Sequence, residues 1–181
     1  MKSARPSPDS SAVKFERLYV KPNPGRTLIV GSRVYSDKDD RRKLYADAVG
    51  VDMLDGPGVD VVADMEGDCP RIGGFDHVEC MSVLEHSKRP WLIAANIERL
   101  MKPGATLFVT VPFCWRIHGY PSDYWRMTPE AFKVIFPCVE WEHLMFASAG
   151  LREGPKFDQA KIDGFPYFAR TETVGFGRIP K

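Results

Sequence analysis

The stretch from Pro112 to Thr128 concentrates the side chains of this chain that are able to do chemistry. It carries His118, Asp123, Arg116 and Arg126 among Trp115, Tyr120, Tyr124 and Trp125. An imidazole titrates near neutrality, so His118 is the natural base for a hydroxyl group. Asp123 can orient that imidazole or take the proton itself. Trp115, Tyr120, Tyr124, Trp125 and Arg126 would line the pocket of the group being modified. The same residues also suit a packing loop, with Tyr124 and Trp125 in a core and Asp123 paired to Arg126. A second set lies upstream. Asp52 ends an apolar run about 20 residues past Gly31, where nucleotide-binding α/β folds place an acid on ribose hydroxyls. A carboxylate suits a diol because it accepts two hydrogen bonds. Met53, next to it, can pack on a purine ring. A turn or helix-capping role is the alternative for Asp52.

These residues need elements to hold them. Thr27-Leu28-Ile29-Val30 reads as a buried strand ended by Gly31-Ser32. Asp39 to Ala48 has helical composition, with Leu44 and Tyr45 on one face. Ala48 to Asp52 and Val59 to Asp64 are two further apolar strands, each ending in an acid. Phe75 to Cys80 is the fourth. Pro90 to Met101 is a helix with proline in its first turn, and Leu92, Ala95, Ile97 and Leu100 can face a sheet. Pro103-Gly104 stops it. Thr106 to Val111 is a continuous β-branched run, as expected of a central parallel strand. Thr128 caps a helix that opens on Pro129 and ends near Phe136-Pro137. Val139 to Phe146 and Tyr167 to Val174 complete a set of seven strands. Strands alternating with helices imply an α/β fold with a mostly parallel sheet and helices on both faces. Ligands of such sheets sit outside the carboxyl ends of the strands, which is where the residues above fall.

The chain has 181 residues, with a formal net charge of +1 and 44% apolar residues. That suits one domain, over residues 15–181, with residues 1–14 as a Ser/Pro-rich flexible tail. There is no basic excess of the kind nucleic-acid binders carry. Cys69, Cys80, Cys114 and Cys138 form no Cys-x-x-Cys pair, which argues against zinc ribbons and thioredoxin-type chemistry and for buried free thiols in a reducing compartment. No apolar run approaches a membrane span, and the N-terminus lacks the apolar core of a signal peptide. A cytoplasmic protein is expected, with no membrane partner.

The run Gly74-Phe75-Asp76-His77-Val78 to Leu84-Glu85-His86, then Leu100-Met101-Lys102-Pro103-Gly104 and the strand after it, resembles strands four and five of class I S-adenosylmethionine-dependent methyltransferases. The likeness covers roughly Arg26 to Phe136. The His…Pro-x-Asp-Tyr-Trp-Arg-x-Thr run is similar to one in small enzymes resembling the methyltransferase type 11 group. The resemblance implies a Rossmann-like class I fold with S-adenosylmethionine as cofactor. It places Gly31 and Ser32 in the turn at the methionine part, Asp52 and Met53 at the ribose and adenine, and Asp64 at the adenine amino group with backbone groups of Met65 beside it. Met81, Ser82 and Val83 would line the cofactor floor, and His86 would position the turn after the fourth strand. Ser32, Arg33 and Val34 depart from the small residues that the family has after its first glycine.

Read together, these features point to a methyltransferase acting on a small-molecule or glycan-type acceptor through a hydroxyl, with His118 and Asp123 as catalytic residues. No Asn/Asp-Pro-Pro-Tyr run follows strand four, which disfavours methylation of nucleic-acid bases. The histidines are widely spaced with no ligand pair at metal spacing, so no metal is expected. One rival is a methyltransferase-like binding or scaffold module without turnover, motivated by the degenerate Gly31 turn. A nicotinamide enzyme is a weaker rival, because Gly31-Ser32-Arg33-Val34-Tyr35-Ser36 lacks the second and third glycines that a pyrophosphate needs.

Overall fold

The computed structural model describes residues 16–35, 40–68, 70–115, 117–119, 122–148 and 170–181. The tail at residues 1–14, together with Cys69, Arg116 and Tyr120, lies outside them. Seven strands form one sheet: β1 (Thr27–Val30), β2 (Ala48–Asp52), β3 (Val61–Val62), β4 (Phe75–Met81), β5 (Met101–Pro112), β6 (Glu140–Ser148) and β7 (Arg170–Arg178), in the order β3-β2-β1-β4-β5-β7-β6. β3, β2, β1, β4 and β5 pair in parallel. β7 runs antiparallel between β5 and β6. This is a Rossmann-like sheet, mostly parallel, as the alternation of strands and helices predicts.

One face carries the main core. Val78, Cys80, Leu107, Val109 and Val111 of β4 and β5 meet two helices, α1 (Pro90–Leu100) and α2 (Pro129–Ile135). α1 buries Ile93, Ala94, Ile97 and Leu100, the spacing of an apolar helical stripe. Leu92 and Ala95, expected to face the sheet, are only half-buried. They border a surface groove with Glu66, Arg89 and Arg99, because the stripe runs through Ile93 and Ala94 instead. α2 begins as its sequence dictates: Thr128 Oγ1 accepts from the Ala131 N–H and Pro129 occupies the first turn.

The opposite face combines a smaller apolar cluster of Phe108, Ala147, Val174 and Phe176, against which Tyr19, Val20 and Met81 pack, with buried polar groups. His77 and Glu79 of β4 are buried there, beneath the helical residues 16–19 and a 3₁₀ turn, Arg41–Leu44. Arg41 pairs with both Glu79 and Glu16, and the Tyr45 hydroxyl donates to Glu79 over 2.8 Å. Of the helix expected over Asp39–Ala48, only this turn is helical among the described residues, and Leu44 is exposed rather than packed. Asp40 caps the turn and also binds the Arg42 guanidinium, while Arg41 and Tyr45 are drawn inward to Glu79, so the segment follows its charges and not an apolar stripe.

Three strands depart clearly from their expected bounds. β5 begins at Met101 and not at Thr106, so the helix already ends at Leu100 and Pro103-Gly104, expected to stop it, lies within the strand. β3 contracts to two residues. β7 runs on past Val174, the expected end, through Gly175 and Gly177 to Arg178. A Cβ at Gly175 would lie 2.5 Å from Trp141 Cζ3, and one at Gly177 would lie 2.6 Å from the Glu140 carbonyl oxygen, so the glycines let β6 and its tryptophan close on β7. Cys80 is buried, but Cys114 and Cys138 are exposed free thiols, contrary to the expectation of burial. Among the described residues no helix is long and apolar enough to cross a membrane.

Candidate cofactor and acceptor site

The register of the parallel strands aligns the residues singled out in the sequence. Val30 pairs with Val51 and with Cys80, and Cys80 with Val109. One step further toward the carboxyl edge stand Gly31, Asp52, Met81 and Thr110. Gly31 has φ 71°, in the left-handed region, and its N–H donates to the Val51 carbonyl over 2.9 Å. A Cβ on it would lie 2.4 Å from Val83 Cγ2, so the turn after β1 and the turn after β4 are in direct contact. Ser82, between Met81 and Val83, also has a left-handed backbone, φ 53°. At a residue with a Cβ this costs on the order of 1–2 kcal/mol, and such strain gathers at functional turns.

Asp52 closes β2 with its carboxylate turned onto the backbone of both neighbouring loops. Oδ2 accepts from the Arg33 N–H at 3.2 Å and Oδ1 from the Leu54 N–H at 3.0 Å. Each oxygen has a further lone pair available to a hydroxyl. Asp64 lies next to it in space, because the Ala63 N–H donates to the Asp52 carbonyl over 2.9 Å. Its own Oδ1 accepts from the Glu66 N–H at 2.8 Å, an Asx turn that by itself accounts for an aspartate there. Met53, Asp64 and Ser82 are exposed and Asp52, Met81 and Val83 half-buried, so this edge is open to a ligand. Two residues named from the sequence stand apart from it: Ser32 is buried, and the Met65 side chain belongs to the main core, its carbonyl taken by Asn96 Nδ2 at 3.0 Å.

The acceptor-side residues are brought to the same edge by a seam that the sequence does not announce. A 3₁₀ turn, Leu84–His86, continues directly from Ser82 and Val83. The loop after β5 is stitched onto it at three points. The Tyr124 N–H donates to the Glu85 carbonyl at 2.7 Å, the Trp125 indole N–H donates to the Ser87 carbonyl at 2.8 Å, and His86 Nδ1 lies 2.6 Å from the Ser122 carbonyl oxygen. Within the loop, His118 Nδ1 lies 2.9 Å from Asp123 Oδ2, and the His118 backbone N–H donates to the same oxygen. Arg126 holds Asp123 from the other side with two hydrogen bonds, the longer 2.7 Å. Its guanidinium, aided by the His118 N–H, holds the buried Asp123 carboxyl well below the usual carboxylate range, against the opposing effect of burial. The two readings of Asp123, partner of His118 and partner of Arg126, are therefore both realised at once.

Around this pair Trp115, Ile117, Tyr124 and Trp125 are exposed, and Trp91 of α1 meets Trp125 edge-to-face with ring centroids 6.3 Å apart. Of the acceptor-pocket residues named from the sequence, only Tyr120 lies outside the described residues. Glu85, which the sequence offers only within the Leu84-Glu85-His86 run, belongs beside these residues. It is fully buried, and it stands with His86 and His118 such that one ligand atom of each lies within 4.8 Å of the others. Residues so distant in the chain give no spacing signal.

No protein-family model matches the chain, and no curated protein matches it either. Solved structures do. The Haloferax volcanii protein found in complex with the Trm112 methyltransferase activator superimposes with a TM-score of 0.66 at 14% identity, over 94% of this chain and 89% of that one. Burkholderia thailandensis 1,6-didemethyltoxoflavin-N1-methyltransferase, solved with its substrate and S-adenosylhomocysteine, gives 0.59 at 12% identity, over 94% and 77%. The chain has the class I S-adenosylmethionine-dependent methyltransferase fold. The class I fold also carries other chemistry: the [4+2]-cyclase SpnF matches with a TM-score of 0.62 at 17% identity, over 93% of this chain and 79% of that one. Fold alone therefore does not fix the reaction, and the residues at the carboxyl edge must carry that argument.

Proposed function

We propose that this protein is an S-adenosylmethionine-dependent methyltransferase that acts on a hydroxyl of a small-molecule or glycan-type acceptor. The observation that carries the reading is the His118–Asp123 pair at 2.9 Å, stitched to the turn that continues from Ser82 at the strand edge. S-adenosylmethionine, when bound, supplies a methyl group already activated by a sulfonium, so alignment does most of the catalytic work. Asp52 would hold the ribose diol, Asp64 and Met53 the adenine end, and Gly31, Ser82 and Val83 the close-approach turns. Asp123 accepts from His118 Nδ1–H, which leaves Nε2 unprotonated to take the proton of an acceptor hydroxyl. Arg126 keeps Asp123 ionised for that purpose. The exposed rings of Trp115, Tyr124 and Trp125 offer flat apolar faces to a sugar or a small ring system.

The Gly31 turn favours this cofactor over a dinucleotide. Residues 32–35 leave it in irregular conformation, so among the described residues no helix opens directly at this turn, where a pyrophosphate would need one. Transfer of labelled methyl groups to a panel of glycans and small hydroxylated molecules tests the proposal. Turnover on a member of the panel is expected, with His118→Ala lowering kcat by about 10²–10⁴-fold, the usual contribution of a positioned base. S-adenosylhomocysteine binding without transfer to any acceptor would instead favour a binding module without turnover.

A further inference from the structure

We propose that Glu85, His86 and His118 form a binding site for a divalent transition-metal ion of the zinc type. The ligand set is two imidazoles and one carboxylate, which zinc uses where it keeps an open position. His86 Nδ1 faces the Ser122 carbonyl at 2.6 Å, and a carbonyl only accepts, so Nδ1 donates there and Nε2 is the nitrogen left to face an ion. The same logic applies to His118, whose Nδ1 faces the Asp123 carboxylate at 2.9 Å. Metal-bound histidines characteristically have this outer partner, which fixes both tautomer and ring direction. His86 Nε2 lies 3.6 Å from Glu85 Oε1, and the three ligand atoms fall within 4.8 Å of one another. Ligands around zinc stand about 3.3 Å apart, given bond lengths near 2.0–2.2 Å. The widest pair therefore needs to close by at most roughly 1.5 Å, which side-chain torsions supply.

Charge and access agree with a cation. The Glu85 and Asp123 carboxylates both lie near the Arg126 guanidinium, which pairs directly with Asp123, and a carboxylate between two imidazoles is a donor set that suits a cation. Glu85 is fully buried, whereas the His86 and His118 side chains keep 19% and 31% of their surface, so the open position faces solvent. The frame is rigid, because the Tyr124 N–H to Glu85 carbonyl bond locks the loop after β5 onto the Leu84–His86 turn. The site stands on this geometry. Its bearing on catalysis rests on the proposed function: an ion here would acidify an acceptor hydroxyl directly, and His118 would then serve as its ligand and not as the base.

The test is a Co²⁺ titration of the full chain after treatment with a chelator, followed by visible absorption. One equivalent with the intense bands of a four- or five-coordinate centre is expected, displaced by Zn²⁺. Glu85→Gln, His86→Gln and His118→Gln should each abolish it, and Asp123→Asn should weaken it by about 10–100-fold as an outer partner. His143→Gln and Cys114→Ser should leave it intact. Absence of one-equivalent binding, survival of the bands in all three ligand variants, or their loss in Cys114→Ser would overturn the site. Circular dichroism establishes that each variant is folded; should Glu85→Gln not fold, the more exposed His118→Gln decides. S-adenosylhomocysteine binding in the same samples separates the two claims: nucleoside binding without cobalt binding rejects the metal site alone, and cobalt binding without nucleoside binding rejects the methyltransferase reading alone.

Discussion

His86 Nδ1 and the Ser122 carbonyl oxygen stand 2.6 Å apart, and through this contact the turn after β4 and the loop after β5 become one unit. The cofactor-side turn and the acceptor-side loop are separated by all of α1 and β5 in the chain. The contact, with those from Tyr124 and Trp125, makes them neighbours held at fixed distance. A methyl transfer needs that fixity, because misalignment of the reacting groups costs rate steeply.

His86→Phe therefore keeps the ring volume and removes the donor. The Ser122 carbonyl loses its partner, and the expected loss of stability is about 1–3 kcal/mol. Urea unfolding of the parent and the variant measures it. Amide exchange at Tyr124 should rise in the variant, whereas unchanged exchange there would mean that the seam does not depend on His86.

Gly31→Ala combines two penalties. The left-handed backbone costs about 1–2 kcal/mol for a residue with a Cβ, and the new methyl group meets Val83 Cγ2. Val83→Ala relieves the second penalty and leaves the first. Denaturant curves for both single variants and the double variant should show coupling of about 0.5–3 kcal/mol in the favourable direction. Strict additivity would refute the contact between the two turns.

The buried face of β4 predicts acid sensitivity. Burial pushes the His77 imidazole down to about 4, the Arg41 charge acts in the same direction, and the hydrogen bond with Thr106 only partly opposes them. In the unfolded chain a histidine titrates near 6.5. Between these values the unfolded state holds one more proton than the folded state, so stability falls with acidification by about 1.4 kcal/mol per pH unit. Glu79 acts in the opposite sense, because burial raises its carboxyl above the usual value and the folded state takes up that proton first. The comparison is therefore between the parent and His77→Gln, in which Glu79 and its partners Arg41, Glu16 and Tyr45 are common to both. The variant should lose the one-proton slope between about pH 6.5 and pH 4; equal slopes in the two proteins would contradict the assignment.

Much of the strand-edge row is legible in the sequence, because short apolar runs ending in Gly31, Asp52 and Cys80-Met81 specify central parallel strands. The α2 start is legible for a local reason as well, since Thr128 and Pro129 define a cap without help from the rest of the chain. The Arg41–Leu44 turn is not legible. Its form depends on Glu79, a residue buried in a strand that reads as apolar, and a long-range ion pair overrides local helical composition there. The end of β7 is not legible for a similar reason, as Gly175 and Gly177 make room for Trp141 and the Glu140 backbone across the sheet. In the acceptor loop the residue types are legible, but the pairing of His118 with Asp123 and the approach of Glu85 and His86 exist only once β4 and β5 lie side by side.

Asp52 is the residue on which the cofactor site depends most directly. Calorimetric titration of S-adenosylhomocysteine into the parent and into Asp52→Ala measures whether this carboxylate grips an adenosine. A hydrogen bond to a charged group contributes about 1.5–3 kcal/mol, so the variant should bind about 10–150-fold more weakly than the parent, with NAD giving no heat in either. A parent that does not bind S-adenosylhomocysteine, or an Asp52→Ala variant that binds it as tightly, would contradict the assignment of this edge as the cofactor site.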